Sequence, residues 1–266
     1  MSYTKCWLDY RPISDEQKKP CYYHPVLLAE GNVADTAGEE YCLSMSEMLG
    51  EPVELYHEMI EEPGVFLEVD EEMETGAEEE VLAKQTFLIR GEDESIIITG
   101  KSEEALLQGV FAFLRMVFLE ELDRKMPYLC TPSMPLRMMN HWDDMNGSIE
   151  RGYSGKSFFY KDYKIFYNDR TEMYARLMAS IGTNAIVINN VNVHEKETYL
   201  ITDVYLDQVK QYADLFAKYG IKLFLSVNFA APMELGGIPV SDPLDEDVIQ
   251  WWEKEEEILK TIGLSR

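Results

Sequence analysis

Asn140-His141-Trp142-Asp143-Asp144-Met145-Asn146-Gly147-Ser148-Ile149-Glu150-Arg151-Gly152-Tyr153 comes directly after an apolar run at 135–139 that reads as a strand. The stretch gathers an aromatic, amides, carboxylates, an arginine and two glycines into one loop. Such a cluster at a strand end suits a polar-ligand pocket, because loops carry function on a rigid scaffold. The residues C-terminal to this loop decide the fold. A strand–helix rhythm starts here and runs three times: strand 136–140 with helix 170–181, strand 184–190 with helix 204–219, and strand 221–227 with a helix from about 245. The second strand holds Ala185-Ile186-Val187-Ile188, the continuous apolar run of a strand buried on both faces. The second helix has Val209, Tyr212, Ala213 and Phe216 in phase and stops at Gly220, a suitable residue beyond a helix end. Helix-length crossovers between strands imply a parallel sheet.

No glycine-rich phosphate fingerprint comes after any of these strands, which weakens the case for an open nucleotide-binding sheet. A (β/α)8 barrel needs roughly 250 residues, and only about 130 lie beyond the segment at 122–132, whose Pro127 and Pro132 read as a linker. The expected class is therefore α/β: a domain at 1–130, then the first three β/α units of an incomplete (β/α)8 barrel at 131–266. In the first domain, 37–49 has helical spacing and 65–69 is a strand. Residues 86–90 and 96–99 flank a hairpin turn, and Ser102 caps a helix with Leu106, Val110, Phe113, Leu114 and Val117 on one face. The acidic run at 70–80 reads as a solvated loop.

The formal charge of −25 argues against nucleic acid or an anionic membrane as partner. Cys6, Cys21, Cys42 and Cys130 show no metal-ligand spacing, and four free thiols suit a reducing cytoplasm. No metal and no cofactor is expected. No apolar run approaches the length that spans a bilayer, and the first residues do not form a signal segment.

In a parallel barrel the active site lies at the C-terminal strand ends. Here those ends read Asn140-His141-Trp142-Asp143, Asn189-Asn190-Val191-Asn192 and Asn228-Phe229. Amides donate and accept hydrogen bonds and an indole face packs on a sugar's C–H surface, so hydroxyl-rich ligands fit. Each residue also has a plainer role. Trp142 could be a rim aromatic, His141 a structural hydrogen-bonder, Asp143 and Asp144 loop braces, Asn189 and Asn190 strand-end braces, and Glu150-Arg151 a loop ion pair. Met138-Met139 reads as core.

These segments resemble the family 67 glycoside hydrolases, the α-glucuronidases. The resemblance rests on Asn140–Asp143 with 147–157, on Tyr174-Ala175-Arg176-Leu177-Met178-Ala179-Ser180-Ile181-Gly182, on 189–192, on Ser226-Val227-Asn228-Phe229-Ala230-Ala231-Pro232, and on 234–237 and 242–245. It is weaker over 1–130, where Trp7-Leu8-Asp9-Tyr10 and the hairpin–helix resemble a domain shared with hexosaminidase-type enzymes. The resemblance implies inverting hydrolysis of (4-O-methyl)glucuronic acid from xylo-oligosaccharides by paired carboxylates, in a family whose members often dimerise. It places Trp142 in the uronic-acid subsite and Val191 near a 4-O-methyl group. Asp143, Asn190, Asn192 and Asn228 join the substrate-binding set from their strand-end positions. The family's general acid and water-activating carboxylates match no position here, so no catalytic residue is assigned. The 266-residue chain is expected to be a truncated, inactive form. Another two-domain barrel glycosidase of hexosaminidase type, or a non-catalytic sugar-binding remnant, remain the alternatives.

Overall fold

The computed structural model describes residues 5–189 and 196–262, in two compact units. Of the described residues, the first comprises those up to 137 together with Arg176–Gly182 and Lys218–Gly220; the second holds the rest.

The first unit is built on a five-stranded mixed sheet of β1 (Pro25–Leu27), β2 (Val65–Val69), β3 (Phe87–Glu92), β4 (Ser95–Gly100) and β5 (Tyr128–Cys130), in the order β1-β2-β4-β3-β5. Strands β1, β2 and β4 run parallel, while β3 is antiparallel to β4. Glu92 pairs with Ser95, so Asp93-Glu94 form a two-residue turn; Asp93 has φ +53°, the positive sign such turns demand. Helix α1 (Asn32–Leu49) buries Ala34, Ala37, Tyr41, Met45 and Met48 along one stripe. It starts five residues before the sequence periodicity suggests. The reason is a remote cap: the backbone N–H groups of Val33 and Ala34 donate to the Glu103 carboxylate at 3.0 and 3.2 Å. A carboxylate on the exposed amides of a helix start satisfies donors that have no partner within the helix.

The short helix α2 (Glu80–Ala83) precedes β3, and α3 (Glu103–Phe118) comes after β4. All five residues of the expected α3 stripe are buried. Gly100 permits the tight β4–α3 connection, since a Cβ there would lie 2.2 Å from the Leu106 nitrogen. Ser102 caps α3 by accepting from the Ala105 N–H at 3.2 Å. Ser102→Ala is expected to cost about 1 kcal/mol, read as a lower urea midpoint at unchanged slope; no shift would show the cap to be redundant.

The expected linker is not one. Residues 122–130 form the short helix α4 (Leu122–Lys125) and strand β5 (Tyr128–Cys130), which pairs antiparallel with β3. Leu122 is buried and the Tyr128 ring meets Phe87 at 6.0 Å, so apolar contacts outweigh the breaking tendency of Pro127.

The second unit carries a parallel sheet in the order β10-β9-β6, from β6 (Met138–Asn140), β9 (Ala185–Val187) and β10 (Lys222–Phe224). Each strand is shorter than its apolar run. Between β6 and helix α5 (Asp169–Ser180) lies a long excursion with a small hairpin of β7 (Tyr160–Lys161) and β8 (Lys164–Ile165). Helices α6 (Leu206–Lys218), α7 (Ala231–Glu234) and α8 (Glu246–Lys260) complete it, α8 capped by Asp245. Beyond α6, Gly220 has φ +68°, the left-handed conformation that ends the helix. The sheet is open, with no closed barrel among the described residues. This corrects the reading of Met138 and Met139 as core: they are 37% and 41% exposed, because β6 is an edge strand with one neighbour.

Candidate functional site

Strand pairing continues past the ends of the three parallel strands and brings their C-terminal extensions together. The His141 N–H donates to the Val187 carbonyl at 3.0 Å, prolonging β6 against β9. One step further, the Asn189 side chain imitates a strand: its amide donates to the Ser226 carbonyl at 2.8 Å and its oxygen accepts the Ser226 N–H at 2.7 Å. Asn189 is fully buried, so it braces β9 against the segment after β10. Trp142 and Asn228 therefore stand beyond the same end of one sheet. Asn190, Val191 and Asn192 lie outside the described residues.

Trp142 sits on a loop that folds back on itself. Its carbonyl accepts from the Glu150 N–H at 3.0 Å, Asp143 and Ile149 form an antiparallel bridge, and Ser148 bridges Lys156. Gly147, at φ +92°, turns the loop where a Cβ would approach the Tyr160 carbonyl at 3.3 Å. The backbone is thus fixed, while the indole remains 39% exposed. That combination suits an aromatic platform for a ligand.

Asp143, the next residue, is 2% exposed and directed into the protein. Ser157 hydrogen-bonds the carboxyl and favours its ionised form, but burial dominates and nearby Asp144 adds to it, pushing the pKa up to about 6. Among the described residues its Oδ2 has no hydrogen-bond partner, and neither has the buried hydroxyl of Tyr160. His141 is pulled down to about 4 by burial and shares a hydrogen bond between Nε2 and the Tyr174 hydroxyl. Its Nδ1 stands 3.7 Å from Asp143 Oδ1, yet a neutral imidazole makes this a contact and not an ion pair. Phe158, Phe159 and Tyr174 pack edge-on around the imidazole, and Tyr212 meets Phe159, which explains the strong desolvation. His141 is the structural hydrogen-bonder of the two readings open to it.

The Asn228 amide makes hydrogen bonds through both its nitrogen and its oxygen. Nδ2 donates to Thr198 Oγ1 at 3.0 Å and Glu234 Oε2 at 3.1 Å, and Oδ1 accepts the Ala230 N–H at 2.9 Å. Thr198 also donates to Glu234, and buried Glu197 accepts the Met145 N–H at 2.9 Å. Periodicity gave no sign of Thr198 or Glu197, whose partners Glu234 and Met145 lie tens of residues away, nor of Tyr160; Ser157, Tyr174 and Glu234 fell within segments already singled out. No group of three or more His, Cys, Asp or Glu among the described residues could hold a metal ion, and no described helix is long and apolar enough to cross a membrane.

Residues 117–263 match the family described as glycosyl hydrolase family 67 middle domain, and residues 6–113 match its N-terminus. The chain belongs to glycoside hydrolase family 67. It is 34% identical over 263 residues to alpha-glucuronidase A of Emericella nidulans, covering 92% of this chain and 31% of that protein. Over 172 residues it is 40% identical to a probable alpha-glucuronidase A of Aspergillus clavatus, covering 64% of this chain and 20% of the relative. The family 67 chain thus spans about a third or less of the length of the curated relatives it matches. Among solved structures it shares its fold with a family GH115 4-O-methyl-alpha-glucuronidase with specificity for decorated arabinogalactans. The TM-score there is 0.56 at 16% identity, over 88% of this chain and 34% of that one.

Proposed function

We propose that these residues supply one wall of the uronic-acid subsite of an α-glucuronidase that releases (4-O-methyl)glucuronic acid from xylo-oligosaccharides by inversion. The three parallel strands are then the opening part of a (β/α)8 barrel, whose C-terminal strand ends face the sugar. The observation that carries this reading is the Trp142 indole, exposed on a backbone locked by Glu150 and Ile149 at that end of the sheet. The 266 residues provide recognition, and the carboxylates that protonate the leaving oxygen and activate water belong to other sequence. Buried Asp143 is ill placed for either task.

The chain is expected to bind glucuronic acid and glucuronosyl xylo-oligosaccharides without turning them over. Binding should quench the Trp142 component of the tryptophan fluorescence. Trp142→Ala should weaken binding about tenfold, the effect of losing one aromatic platform. Equal affinity for an N-acetylhexosaminide, or undiminished affinity in the alanine variant, would refute the assignment.

A further inference from the structure

Asp143 is a buried carboxyl that the binding role of the loop does not use. Among the described residues, the groups acting on it come from several elements: Asp144 and Ser157 from its own loop, His141 from the end of β6, Tyr160 from β7, Tyr174 from α5 and Tyr212 from α6. None of these is a cation near neutral pH, since burial keeps His141 unprotonated. Glu197, which also bears on Tyr160, adds a further acid. The Asp143 Oδ2 and the Tyr160 hydroxyl are both buried and both without partners among the described residues. As a neutral acid, Asp143 has a proton to donate within this pocket; as an anion its hydrogen-bond donor among the described residues is the Ser157 hydroxyl.

We propose that Asp143 is a proton-operated latch on the Trp142 loop: protonated, it holds residues 142–157 closed, and ionised, it loosens them by drawing water into the pocket. The physical basis is that an unpaired buried charge is intolerable without solvent or a counter-charge, so the structure opens to supply one. Asp143 is positioned to transmit this, because its backbone bridges Ile149 and its side chain meets Ser157, the two ends of the loop's return. The inference rests on the loop alone and stands whether or not the sugar assignment does.

The test is amide hydrogen exchange of the 266-residue chain between pH 4.5 and 8, corrected for intrinsic rates, read at Ile149, Glu150 and Ser157. Each of these amides donates within the loop. Exchange in these amides should rise through a midpoint near 6, by up to about a hundredfold for a two-unit displacement, while amides of α3 stay unchanged. D143N should abolish the step. S157A, which removes a hydroxyl that favours ionisation, should move the midpoint upward, and it decides the matter should D143N fail to fold. A pH-independent loop in the unaltered protein, a step that survives D143N, or an unmoved midpoint in S157A would each overturn the latch.

Discussion

Arg176→Met is expected to destabilise the protein by about 3–5 kcal/mol, the loss incurred when one partner of a buried ion pair is removed. Arg176 and Glu40 are 5% and 3% exposed, and their contact is bidentate: Nε to Oε2 at 2.6 Å and Nη2 to Oε1 at 2.7 Å. Ser44 closes the group, donating to Glu40 Oε1 at 2.6 Å and accepting from Arg176 Nη2 at 3.1 Å. With the guanidinium gone, the carboxylate keeps one hydroxyl donor and no counter-charge. Glu40→Gln should cost a comparable amount by leaving the buried guanidinium without the Glu40 charge. The pair itself is a different quantity, because burying two ions offsets most of their attraction. Glu40→Met combined with Arg176→Met should therefore recover most of the stability lost by either single change. Urea denaturation of the three variants measures this cycle; single losses below about 1 kcal/mol would mean that the pair is solvated in solution.

The second large effect concerns pH, and it is hidden in the unaltered protein. Burial raises Asp143 to about 6 and lowers His141 to about 4. A raised carboxyl contributes stability that is complete below its unfolded value and fades as pH climbs through 6. A lowered imidazole contributes stability that is complete above its unfolded value and fades as pH falls through 4. Between pH 4 and 6 the unfolded chain carries the proton on the histidine and the folded protein carries it on the aspartate. The proton counts match, and this pair imposes almost no slope. Asp143→Asn breaks the balance. Stability should then fall with acidification from pH 6.5 to 4, by about 3 kcal/mol for a shift of this size. Above pH 7 the same variant should be more stable than the parent, by up to a similar amount. His141→Asn should show the opposite slope, losing stability as pH rises from 4 to 6. Denaturation midpoints across pH 4–8 give both differences; parallel curves for parent and Asp143→Asn would show that the carboxyl is hydrated.

Much of the first unit was legible because its signals are local. The α3 stripe, the Ser102 cap and the β3–β4 hairpin each depend on residues within one or two turns of each other. The start of α1 was not, since Glu103, about 70 positions downstream, supplies the carboxylate for its first amides. At 122–130 two prolines nearby suggested a linker, yet pairing with β3 made a strand of it. Around the site, the sequence announced Trp142 by its place after a strand, but not which loop side chains face inward. Asp143 and Trp142 are adjacent and look equally fit for a ligand; the fold buries one and exposes the other.

The amino-acid sequence alone determined the alternation of strand and helix, the parallel sheet and the family, because apolar periodicity and contiguous motifs are properties of neighbouring residues. Tertiary structure decided which polar groups are free to meet a ligand. Asn189 could be read either as a sugar-facing amide or as a strand-end brace, and the fold makes it a brace on Ser226, while Asn228 bonds Thr198 and Glu234. Arg176 found its carboxylate 136 residues away. Burial and pairing depend on what folding brings alongside, and that is where the protonation of Asp143 and His141 was set.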